Sequence, residues 1–132
     1  MKRLIYNAIR TPDGTILTSR NRHDFKEYTD ANGKTYMVDG GLEYIRRYVV
    51  TPDAEELSVH LEDGIEHYRN FVEWGTYGKT GTEPLHFVKL CNMSNAHIEA
   101  ILNDNLRIHP NLKQAFENEL EYRKRTCLII ED

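Results

Sequence analysis

Phe71–Met93 reads FVEWGTYGKTGTEPLHFVKLCNM, and the parsing of this run sets the architecture of the whole chain. It carries the only tryptophan, Trp74, with Tyr77 and Phe87, interleaved with Gly75, Gly78 and Gly81. Because glycine is favoured just past a helix terminus, the residues before Gly75 predict a helix ending at Trp74. A glycine loop follows, and Leu85–Leu90 after Pro84 reads as a strand. Flat rings beside open backbone suit a ligand that bears a base. The competing reading buries Trp74 and Phe87 in the core for their area alone.

Upstream, Asp63 with Glu66 three residues on has the form of a capping box. Ile65, Tyr68 and Val72, with Phe71 alongside, make an apolar stripe at helical spacing, predicted to lie on a sheet. Downstream, Asn92-Met93-Ser94 leads into a helix capped by Ser94, with Ile98, Ile101, Leu102 and Leu106 on one face. Its amino terminus beside the aromatic loop is suited to an anion. Pro110 separates it from a last helix over Asn111–Lys124, with Leu112, Ala115, Phe116 and Leu120 inward. Glu117, Glu119 and Glu121 fan around that helix, which argues against a paired acid/base couple, and most carboxylates of so acidic a chain belong to a solvated face. The apolar residues of the tail Cys127–Asp132 are expected to add a strand to this sheet or to a neighbour's.

Ahead of this region the sequence is rich in strand signals. Lys2–Arg10 alternates with apolar residues on both sides, as a central strand does, and Pro12-Asp13-Gly14 turns it into a hairpin with Thr15–Ser19. Asp30-Ala31-Asn32-Gly33 joins Phe25–Thr29 to Lys34–Val38 in a second hairpin. Leu42–Val50 is expected as a further strand with Arg46 on its tyrosine face, and Leu57–Leu61 as a short one completing the sheet. The fold class that results is α+β, an N-terminal antiparallel sheet with helices packed on it and two C-terminal helices, in a single domain over residues 1–132.

Seventeen Lys+Arg against twenty-one Asp+Glu give a formal charge of −4, which argues against a coat for nucleic-acid polymers. Cys91 and Cys127 are too few for a disulfide framework and fit a reducing, cytosolic setting; no run approaches a membrane span and the amino terminus lacks a signal-peptide core. The sequence has no Walker loop, no GxGxxG after a strand, no histidine pair at metal-ligand spacing and no pair of His-x-Ser/Thr units, so neither a cofactor nor an enzyme activity is expected. Binding groups are better represented. Arg20, Arg22 and His23 form a basic loop where two strands end, suited to phosphate; Arg46 and Arg107 add forked donors. Asn92 can pair with an adenine edge, and Trp74, Tyr77 and Phe87 offer stacking area.

The ordered runs IYNAIRTPDGTILTSRNRHDF, NGKTYMVDGGLEYIRR, WGTYGK and MSNAHIEAIL resemble small proteins of T4-like and related phages, the Thoeris anti-defence protein 1 sponges in particular. The resemblance implies a protein of the infected bacterial cytoplasm that sequesters cyclic ADP-ribose isomers, glycocyclic ADP-ribose above all, without cleaving them, so blocking TIR-based Thoeris immunity. It further implies a homo-oligomer, a dimer that assembles to a hexamer, and in some members a separate site for the cyclic oligonucleotides of CBASS immunity. In such a pocket Phe87 and Trp74 are the candidates for the ring on the adenine, Asn92 for the polar anchor, and Arg107 for an arginine offered by a neighbouring subunit. Two other functions remain open at the level of sequence. One is a small phosphodiesterase using His23 or His109 as acid/base, the other a phage inhibitor that acts by protein contact.

Overall fold

Turn chemistry forms the first elements where the sequence places it. The computed structural model describes residues 2–20, 23–43, 53–78, 80–104 and 107–131. These divide into two compact units, one of Leu4–His60 and one of Leu61–Asp132 with Met1–Arg3, each described here by itself.

In Leu4–His60, β1 (Leu4–Arg10) pairs antiparallel with β2 (Ile16–Ser19) in the register Asn7 with Ser19 through Arg10 with Ile16. The turn between them closes on Asp13, whose carboxylate accepts from the Thr11 and Tyr28 hydroxyls and the Thr15 amide and is held well below the usual carboxylate range by them. On its other edge β1 pairs with β5 (Glu55–Glu56) and β6 (Val59–His60), so it is central as expected. The expected strand Leu57–Leu61 is thus cut back to Val59–His60: the Leu57 amide donates to Ala8 O across the break, and Leu61 opens a 3-10 turn. β3 (Lys26–Thr29) and β4 (Thr35–Val38) make the second hairpin, with Gly33 at φ 79° in its turn. Tyr36 and Val38 of β4 and Ile9 of β1 are buried together, with Leu17, Tyr28 and Ala54 packed against them.

A buried polar knot completes this unit. Asn7, fully buried, donates to Asp39 O at 3.0 Å and Gly41 O at 2.9 Å. Ser19 Oγ accepts from the Gly41 amide at 2.8 Å and donates to Asp24 O at 2.6 Å. These bonds satisfy backbone groups that the loop after β4 would otherwise bury unpaired. Residues 44–52, which hold Arg46 and most of the expected strand Leu42–Val50, lie outside the described residues, and so does Arg22.

In the second unit the expected helix through Trp74 is replaced by a helix of one turn, α1 (Ile65–Tyr68), and a strand, β7 (Glu73–Thr76). The helix begins at Gly64, φ 95°, with no side-chain cap, so the Asp63/Glu66 capping box does not form the start. Tyr68 and Val72 are buried as the stripe required, but the Val72 carbonyl accepts from the Leu90 amide at 2.8 Å, the first rung of a ribbon. β7 pairs antiparallel with β8 (His86–Lys89), Trp74 opposite Val88 and Thr76 opposite His86. A ladder with a partner outweighs a weak helical periodicity in a segment rich in Trp, Thr and Tyr.

The C-terminal helices follow the sequence closely. α2 (Asn95–Asp104) is capped by Ser94, whose Oγ accepts from the His97 amide at 3.1 Å, and it buries Ile98 and Ile101. α3 (Pro110–Thr126) starts on Pro110 itself, with His109 Nδ1 accepting from the Asn111 amide, because proline suits a first helical position whose N–H would be unpaired. Its buried face is Ala115, Phe116, Glu119 and Arg123. Cys127 ends it in the left-handed region at φ 56°, after which the tail forms no strand among the described residues. Arg3 clasps Glu62 through its amide and guanidinium, both at 2.7 Å, and these two bonds hold that carboxyl down at about 2. Among the described residues no helix is long and apolar enough to cross a membrane.

Glu119 corrects the expectation of a solvated acidic face. It is fully buried, receives both Nε and Nη2 of Arg69 at 2.8 and 2.7 Å, and takes Arg123 Nε at 2.6 Å. The two bonds from Arg69 raise that guanidinium's pKa above its ordinary value, and the group also stacks over the Tyr122 ring at 4.8 Å. Arg123, 1% exposed, also donates Nη1 to Asn95 Oδ1 at 2.8 Å and Nη2 to Leu90 O at 3.0 Å. Glu117 and Glu121 are exposed as expected.

Candidate functional site

Alternation along the β7–β8 ribbon decides what each of its residues can reach. Directly paired residues share a face, so Trp74, Thr76, His86 and Val88 lie on one side and Glu73, Gly75, Phe87 and Lys89 on the other. The first side, with the amino-terminal half of α2, bounds an open cavity of about 530 Å³. Val88, Met93, Ala96 and Ala100 give it apolar surface; Thr76, Asn92 and Ser94 supply neutral polar groups. His86, His97, Glu83 and Glu131 are its titratable groups, and among the described residues the wall holds no lysine or arginine.

The polar groups are held by identifiable bonds. His86 Nδ1 lies 3.0 Å from the Pro84 carbonyl, which can only accept, so Nδ1 carries a proton and donates it there. Asn92 Oδ1 accepts the Cys91 thiol at 3.7 Å. At the start of α2 the Asn95 amide donates to Ile130 O and the His97 amide to Ser94 Oγ. Ala96, between them, lines the wall, where the helix end favours negative charge.

The loop from β7 to β8 is shaped around Gly78. Gly78 has φ +85°, its amide donates to Thr76 Oγ1 at 3.1 Å, and a Cβ there would overlap the Glu83 carboxylate. Gly81, at φ +76°, has open space around it. Gly81→Ala is therefore expected to cost only the backbone term of about 1–2 kcal/mol, and Gly78→Ala more than Gly81→Ala because Glu83 must also move. Urea unfolding of the two variants measures the difference; equal losses would mean that Glu83 yields freely.

Of the side chains expected from sequence to bind a ligand, Asn92 alone among those described stands in this wall. Trp74 is half-buried and meets Phe116 of α3 edge-on, ring centroids 5.5 Å apart, so it supports the ribbon and is not an open stacking platform. Phe87 is 40% exposed on the opposite face, where its ring edge lies 3.1 Å from the Cβ position of Gly75. Phe87 and Asn92 are thus not brought together within one chain. Tyr77 is exposed just after β7, and Arg107 is exposed in the connection between α2 and α3. Arg20 and His23 are exposed in the unit Leu4–His60, the Arg20 amide donating to Asp24 Oδ2 at 2.8 Å.

Sequence reading missed Glu83, His86, His97 and Glu131. Had the run from Trp74 been paired with HFVK as a hairpin, period-two alternation would have placed His86 and Val88 beside Thr76. Glu131 carried no local signal. Compared with known proteins, the chain matches no family model, no curated protein and no solved structure.

Proposed function

We propose that this protein binds a cyclic nucleotide signal of the cyclic ADP-ribose class and returns it unchanged, acting as an anti-defence sponge in the cytoplasm of a phage-infected bacterium. The observation that carries the reading is the position of Asn92. The asparagine chosen from sequence as the polar anchor stands in the wall of a cavity of about 530 Å³, next to a capped helix amino terminus. That volume lies in the range of small-molecule sites. Apolar surface from Val88, Met93 and Ala100 suits a base, and the amino-terminal end of α2, with His97 on it, suits phosphate oxygens. The resemblance of four ordered segments to phage sponges supplies the class of ligand. The same reading includes a homo-oligomer, in which exposed Phe87 and Arg107 are the candidates to contribute to a neighbouring copy's site.

The chemical test is to incubate the protein with glycocyclic ADP-ribose, denature it by heat, and chromatograph the supernatant. Intact ligand, depleted before heating and recovered after it, is the expected result; a hydrolysed product favours the phosphodiesterase instead. For that rival, His109 already has Nδ1 engaged by the Asn111 amide. Asn92 is exposed, so Asn92→Ala is expected to leave the melting temperature unchanged and to weaken binding about ten-fold or more, one to two lost hydrogen bonds. Calorimetric titration reads this; undiminished affinity would remove Asn92 from the site.

A further inference from the structure

One side of the cavity is supplied by the segment that follows α3. The Leu128 amide donates to Arg123 O at 2.8 Å, and Asn95 then brackets Ile130. The Asn95 amide donates to Ile130 O at 2.8 Å, and Asn95 Oδ1 accepts the Ile130 amide at 3.1 Å. The same Oδ1 accepts Arg123 Nη1, whose guanidinium is locked on buried Glu119, so the mooring is continuous with the interior of the unit. The mooring sets Glu131 in the cavity wall, which Glu83 of the β7–β8 loop also lines. Glu83 and Glu131 bring two carboxylates to the wall, and each repels further negative charge placed beside it.

We infer that Glu131 is a specificity-determining residue, whose carboxylate, with that of Glu83, admits nucleotides with internal phosphates and rejects those ending in a terminal phosphoryl group. The inference rests on the nucleotide-binding reading of this cavity. An internal pyrophosphate carries one charge on each phosphorus, and the sugars that flank it present hydroxyl donors that a carboxylate accepts. A terminal phosphoryl group adds a second charge of its own and offers mostly acceptors at neutral pH. Carboxylates in the wall accept from the first ligand and repel the second. Discrimination of this kind comes from an unfavourable contact with the wrong ligand, and needs no gain for the right one.

Calorimetric titration of the full chain at one ionic strength with cyclic ADP-ribose and with ADP tests this. Wild type is expected to prefer cyclic ADP-ribose. Glu131→Gln, at an exposed position where folding is not at stake, is expected to narrow the preference about ten-fold, chiefly by gaining ADP binding, and Glu131→Lys to narrow it further. If Glu131→Gln binds cyclic ADP-ribose with the wild-type ratio over ADP, the inference fails and the nucleotide reading stands. If the wild type gives no heat with either nucleotide, both fail.

Discussion

Glu119→Ala is expected to destabilise the protein by about 3–5 kcal/mol. The substitution leaves Arg123, 1% exposed, and Arg69 beside it without the carboxylate on which three guanidinium hydrogen bonds converge. Removing one partner of a buried ion pair strands a charge in low dielectric, which costs more than the pair itself contributes. Glu119→Gln should cost less, because its amide oxygen still accepts. Replacing Arg69, Glu119 and Arg123 together with apolar residues should recover part of the loss only, since Arg123 also satisfies Leu90 O and Asn95 Oδ1. Urea unfolding followed by circular dichroism is the measurement; a loss under about 1 kcal/mol, the range of surface pairs, would show that water reaches the triad.

Phe116→Ala should cost about 3–5 kcal/mol, the usual penalty for emptying a buried aromatic position. Phe116 is fully buried on α3 and meets Trp74 edge-on at 5.5 Å, so its removal also takes the support from behind the β7–β8 ribbon. Trp74 is the only tryptophan, and its emission should shift to longer wavelength in the folded variant as the ring gains water. An unchanged spectrum together with a small stability loss would mean that the ribbon is held by its ladder alone. Because Thr76, His86 and Val88 share the face of Trp74, loosening here should also weaken the nucleotide binding proposed for the cavity.

Much of the local architecture was legible because the interactions that set it span only a few residues. Pro12-Asp13-Gly14 and Asn32-Gly33 close their hairpins through bonds to side chains two to four residues away. Ser94 caps α2 from three residues off. The helix expected up to Trp74 misled because Tyr68 and Val72 are buried as a helical stripe would be, while the competing partner, His86–Lys89, lies beyond a long loop.

For the site, the sequence determined the type of chemistry at one position, Asn92, and the presence of a helix start beside it. The wall itself was decided by tertiary structure. His86 joins it through strand pairing, and Glu131 because its neighbour Ile130 is hydrogen-bonded to Asn95, 35 residues before Ile130. Glu119 acquires its partner Arg69 from 50 residues away. A side chain's type is written locally, but its burial and charge environment depend on which distant residues fold against it. By itself, then, this sequence determined turns, caps, the two C-terminal helices and an α+β class. Only the tertiary structure decided that Trp74 stands on a strand, that Glu119 is interior, and which groups face the cavity.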